Sequence, residues 1–261
     1  MNRPLTKEEI KPYKIRHHLT LLDRPMFIPS IALAKSSEYS DDAGYTIISK
    51  KHGLPTIFDK QLLYMLLERA QTTQSRFLTF KSIREIISIM NLPDKGQSYL
   101  RVRESINKWA LTNIIFEEDK LQLNGRVWHE KITIAVLPEV VFADDSLDIN
   151  APIHIELSER FYKYNQDRFS MLLDYKTLRK FDNAFSLRLY EVLVKNFYGR
   201  KEWRIGIRKL VIKLGAQFDQ RNKVVNRIDK AVEDIKCIHR GRFSNLDYYV
   251  GKNNVIIFKI Y

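Results

Sequence analysis

NKVVNRIDKAVEDI (222–235) reads as a single amphipathic helix, and its two faces decide the fold. At about 100° per residue, Val224, Ile228, Ala231 and Ile235 share one face, flanked by Val225 and Val232. Lys223, Asn226, Arg227 and Lys230 share the opposite face, with Asp229 and Glu233 to one side. The apolar stripe would fix such a helix to a domain and leave the other face free for phosphates and base edges. Arginine can bond guanine, and asparagine adenine, in bidentate fashion, so Arg227 and Asn226 are residue types a base reader needs. A charged face alone is commonly just solvated. The segments around the helix decide between the two readings.

Upstream lie RLYEVLVKNF (188–197) and IRKLVIKLG (207–215), both of helical period. Downstream, 243–250 and 255–261 read as a hairpin turning at 251–254. The same order occurs earlier. LLYMLLERAQ (62–71), SIREIISIM (82–90) and SYLRVRESINKW (98–109) precede strand-like runs at 113–118, 120–123 and 127–137, with Asn124-Gly125 as the hairpin signal. Helix, helix, basic helix, hairpin is the order of a winged helix-turn-helix. The expected fold class is therefore α+β, with two tandem winged helix-turn-helix domains.

The expected division is a basic irregular N-terminal segment (1–52), winged-helix domain 1 (53–142), an acidic linker (143–152) and winged-helix domain 2 (153–261). Pro4, Pro12, Pro25 and Pro29 break the lead-in. Asp59, Asp174 and Asp182 are the expected helix caps, and Ser82 with Glu85 has capping-box spacing. The run 184–198 is apolar almost all round, with Arg188, Glu191 and Lys195 as its polar stripe. In the helix at 98–111, Val102, Ile106 and Trp109 form the core stripe, and Arg101, Ser105 and Lys108 the exposed side.

The bulk properties agree with a nucleic-acid partner. The 261 residues carry 44 Lys/Arg against 31 Asp/Glu, a net +13, which favours a polyanion. The charge sits in blocks: 199–242 holds 13 basic and 5 acidic residues, while 115–160 holds 4 and 10. A single cysteine, Cys237, fits a reducing compartment, and it is expected to be a small buried hydrophobe. No signal peptide or membrane span is visible, which makes cytoplasmic the expected location.

Signals for catalysis and for cofactors are poor. There is no Walker loop, no His pair at metal-binding spacing, and too few thiols for a zinc site of the usual kind. Asp144, Asp145 and Asp148 read as linker solvation rather than a metal site. The expectation is a protein that is not an enzyme and takes no cofactor or metal.

DRPMF (23–27), HGLPTIFDKQLLYML (52–66), QSYLRVRESINKW (97–109) and FSMLLDYKTLRKFDNAFSLRLYEVLVKNF (169–197) resemble the replication initiator protein A family of plasmids and related mobile elements. The resemblance runs from about residue 20 to the C-terminus. It implies tandem winged-helix binding of double-stranded DNA at origin repeats (iterons), melting of an A·T-rich region, and recruitment of host replication proteins such as a helicase or chromosomal initiator. It also implies a homodimer in some roles and places the DNA-reading helices at 97–111 and 221–236. The candidate DNA contacts are thus Gln97, Ser98, Arg101, Ser105, Lys108 and Arg126 in the first half. In the second half they are Arg221, Lys223, Asn226, Arg227, Lys230, Arg240 and Arg242. The alternatives are a winged-helix transcriptional repressor without origin activity, or a nicking enzyme.

Overall fold

The computed structural model describes residues 14–41, 44–123, 126–142, 150–167, 170–216, 221–239 and 241–261, with backbone alone for 118–130. The N-terminal part contains β1 (Lys14–His18), α1 (Leu19–Asp23), α2 (Ile31–Ala34), β2 (Glu38–Ser40) and β3 (Tyr45–Ser49). The first helix trio is α3 (Ile57–Thr73), then β4 (Phe77–Phe80), α4 (Ile83–Ile89) and α5 (Gly96–Ala110). It leads into β5 (Thr112–Leu123), β6 (Arg126–Ala135) and β7 (Glu139–Phe142). Next come β8 (Ile153–Glu156), α6 (Glu159–Gln166), β9 (Ser170–Asp174) and α7 (Tyr175–Leu178). The second trio is α8 (Ala184–Asn196), then β10 (Glu202–Gly206), α9 (Ile207–Leu214) and α10 (Arg221–Ile238). The chain closes with β11 (Leu246–Val250) and β12 (Val255–Ile260).

The architecture is mixed α/β, with helix–helix–helix–hairpin occurring twice. The two occurrences differ in the strand between their first two helices. In the second, β10 joins its own hairpin in the order β10-β12-β11. In the first, β4 leaves its hairpin and pairs with β8, giving β4-β8-β7, while β3 takes the place beside β5 in β2-β3-β5-β6. All pairings are antiparallel. No helix among the described residues is long and apolar enough to cross a membrane.

Several sequence expectations need correction. The described part of the lead-in is ordered structure: β1 pairs with β9 in the second half, Ile15 against Leu173, and Ile15, Leu21, Leu22, Met26 and Phe27 are fully buried. Residues 143–149 of the expected linker lie outside the described residues. Across that stretch, however, β8 pairs with β4 and β7, so one sheet spans the expected boundary. Thr56, not Asp59, caps α3; Asp59 sits three residues on and accepts a 2.7 Å bond from the Thr56 amide. Asn183, not Asp182, caps α8, accepting from the amides of Phe185 and Ser186. Cys237 is exposed.

The expected polar stripe of α8 is largely interior. Arg188 and Glu191 are 0% exposed, as are Lys60 and Tyr64 of α3 and His17 of β1. Glu191 accepts from the Tyr64 hydroxyl and, at 2.7 Å, from Arg188 Nη1. Lys60 Nζ lies 2.8 Å from His17 Nε2 and 3.9 Å from Glu191. Arg188 also donates to the backbone oxygens of Leu22 (2.8 Å) and Lys213 (2.8 and 3.0 Å). One guanidinium thus ties the N-terminal segment to the end of α9. Buried charges persist only when paired and hydrogen-bonded, and this network meets that condition across both halves. Asp23 adds a second tie, pairing with Lys195 at 2.9 Å and Lys213 at 2.6 Å.

Candidate nucleic-acid interface

The apolar stripe read from the sequence seats α10. Val224, Ile228, Ala231, Val232 and Ile235 are all at most 3% exposed, and the helix packs on α8, α9 and β11. Asp234 accepts a 2.6 Å bond from the Ser186 hydroxyl of α8, which fixes the helix in register. Gly215 ends α9 at φ +61°, and a side chain there would come within 2.8 Å of Pro25 Cβ. Glycine therefore sets both the reversal and the close approach to the N-terminal segment.

Arg221, Lys223, Asn226, Arg227 and Lys230 are all exposed. None of them has an ion-pair or hydrogen-bond partner among the described residues. The one carboxylate set among them, Asp229, is held by β11: the Tyr248 hydroxyl donates to it at 2.5 Å. Partial burial and this carboxylate push the Tyr248 hydroxyl above its ordinary pKa. Four unpaired cations and an amide thus share a seated helix whose three carboxylates are all engaged, Asp229 by Tyr248, Asp234 by Ser186 and Glu233 by Lys236. Such a face can meet phosphates and read base edges.

The hairpin stands beside this helix. Its turn at 251–254 carries exposed Lys252, and Asn253 and Asn254 adopt left-handed φ of 57° and 58°, a conformation asparagine tolerates. Arg208 and Lys209, in the first turn of α9, are exposed and unpaired among the described residues. Sequence reasoning did not single them out. Two adjacent cations at the start of the helix before a basic helix were the available signal.

Not every expected contact is available in this way. Arg242 turns its guanidinium back onto the carbonyl oxygens of Phe197 and, at 2.7 Å, Arg200, closing the end of α8. Arg240 lies outside the described residues, and so does the side chain of Arg126, whose backbone opens β6. On α5, Gln97 and Arg101 are exposed and Ser98 is half-buried. Ser105, expected on the open side, is 1% exposed. Lys108 pairs with Asp59 at 3.0 Å, its side chain only 14% exposed. Arg101 lies 3.9 Å from the centre of the Phe58 ring. Lys108 and Ser105 of α5 are therefore committed to the protein interior, whereas Arg221, Lys223, Arg227 and Lys230 of α10 are not. Among the described residues no three His, Cys, Asp or Glu side chains gather where they could hold a metal ion.

A basic helix seated in a mixed α/β frame defines a broad class, and the comparisons narrow it. The sequence profile of the family described as Replication initiator protein A matches residues 25–233. The chain belongs to that family, which places it among replication initiators. Its fold is similar to the crystal structure of selenomethionine derivatives of domains 2 and 3 of RctB. That match has a TM-score of 0.61 and 13% identity, covering 92% of this chain and 94% of the other. A second crystal structure of RctB domains 2-3 matches with a TM-score of 0.60 and 13% identity, covering 90% and 94%. At this identity the likeness is one of fold. No curated protein matches the sequence.

Proposed function

We infer that the protein is a non-enzymatic, sequence-specific initiator that binds repeated sites (iterons) at a plasmid or mobile-element origin. It then promotes local melting and recruits host replication proteins. The two helix trios act as tandem winged helix-turn-helix units, with α5 and α10 facing DNA and the hairpins as wings. Likeness over most of the chain to a two-domain segment of RctB supports this two-unit reading. The observation that carries the function is the free face of α10, whose cations have no internal partner among the described residues, on a chain of the replication initiator protein A family. Because Lys108 and Ser105 are committed to the interior, α10 is assigned the main base reading and α5 the weaker contact.

The test is Arg227→Ala, measured by retardation of an origin-repeat duplex and of a random duplex. Loss of a guanine contact should weaken specific binding by roughly 1–3 kcal/mol and relax preference at one base pair. An equal loss on both duplexes would reduce Arg227 to a phosphate contact.

A further inference from the structure

Away from α10, an open cleft of roughly 610 Å³ runs between the N-terminal segment and the starts of α3 and α8. Its floor is aliphatic: Ile28, Ala34, Ile57 and Ala184. At its rim stands Ile31, the most exposed large hydrophobic residue described, at 81%. The polar lining holds three lysines, of which Lys108 is paired with Asp59, beside His52 and Thr56. Lys35, Lys51 and His52 are exposed and unpaired among the described residues, and no Asp or Glu lines the cleft. Helices of 17 and 13 residues begin there, so two positive helix ends add to the field.

We propose that this cleft docks an acidic amphipathic segment of another protein, its aliphatic side chains on the floor and its carboxylates against Lys35, Lys51 and His52. Duplex DNA would satisfy the cations but leave the aliphatic floor and Ile31 without a partner, since protein–DNA interfaces are more polar and charged than protein–protein ones. An apolar peptide would satisfy the floor but not the rim. A helix with apolar residues along one side and carboxylates along its flanks satisfies both. No residue of α10 lines the cleft, and α5 contributes only Lys108, already paired with Asp59, so such a partner leaves the main base-reading helix open to DNA.

The probe is a fluorescein-labelled peptide of about 14 residues, four helical turns, with Leu at i, i+3, i+4 spacing and Asp or Glu elsewhere. Its binding to the full chain is read by anisotropy. Ile31→Asp and the pair Lys35→Glu/Lys51→Glu should each weaken it roughly tenfold or more, while Arg227→Glu leaves it within about twofold. All these positions are exposed, so folding should persist, with far-UV circular dichroism as the check. Equal weakening by Arg227→Glu, or equal binding of a peptide with Ala for Leu, would overturn the proposal by showing plain polyanion attraction. It is also overturned if Ile31→Asp converts a dimer to a monomer, since a second copy then fills the cleft. Duplex retardation by Arg227→Glu reports on the DNA reading, and weakening there by Ile31→Asp would overturn the proposal, because nucleic acid would then occupy the cleft.

Discussion

Lys60→Met isolates the cost of the charge buried between the two halves. Lys60 is fully enclosed, with His17 Nε2 at 2.8 Å, Met26 Sδ at 3.3 Å, the Tyr64 ring centre at 4.6 Å and Glu191 at 3.9 Å. Burial pushes its pKa down to about 8; Glu191 opposes the shift and Arg188 adds to it. The unfolded chain, with a lysine near 10.5, holds the proton through a range where the folded chain has released it. Stability should therefore rise with pH between about 8 and 10.5, and the full penalty applies below 8. Two and a half pH units correspond to roughly 3 kcal/mol. Methionine has a similar length and flexibility without a charge, so Lys60→Met should be within about 1 kcal/mol of wild type at pH 7, or more stable. It should also lose the rise with pH. Urea midpoints at constant m-value, taken from pH 7 to about 9.5, give the comparison before unfolded tyrosines ionise. A variant that is roughly 3 kcal/mol less stable at pH 7, beside a wild type with no rise, would show that the buried charge carries no such penalty. The ammonium would then be a net stabilising partner of Glu191.

Glu191→Gln has the opposite outcome, because it leaves Arg188 and Lys60 buried without a counter-charge; urea unfolding should show a loss of roughly 3–5 kcal/mol. Gly215→Ala should lose at least about 1–2 kcal/mol in the same assay, from the left-handed φ alone. Contact with Pro25 adds to that. Lys108→Met should lower stability by roughly 1–3 kcal/mol by leaving buried Asp59 without its ion pair, and leave duplex affinity within about twofold.

The α10 helix was legible because every signal it carries is local. Val224, Ile228, Ala231 and Ile235 recur at helical spacing and the cations fall opposite them. The hairpin after it was equally plain from its alternation and turn residues. Ser105 was recoverable in principle: three residues after Val102 and four before Trp109, it lies on the seam those two define. The lead-in was legible only at Tyr45–Ser49, whose β-like run is β3; β1 was not, because the prolines signal irregularity while its strand partner β9 lies far along the chain. Arg188 and Glu191 failed for a related reason. Charge type argues for solvent, and the packing of α1, α3 and α9 against α8 encloses them. The departure of β4 to β8 also depends on pairing across the expected boundary, which no window of sequence reports.

Footprinting on DNA flanking the gene shows whether this chain reads repeated sites. Several protected repeats are expected, their centres about two helical turns (~20 bp) apart, because tandem units on one face of the duplex follow its helical repeat. Protection should vanish in Arg221→Ala/Arg227→Ala protein that remains folded. A uniform, sequence-independent pattern, or repeats protected equally well by that variant, would contradict it.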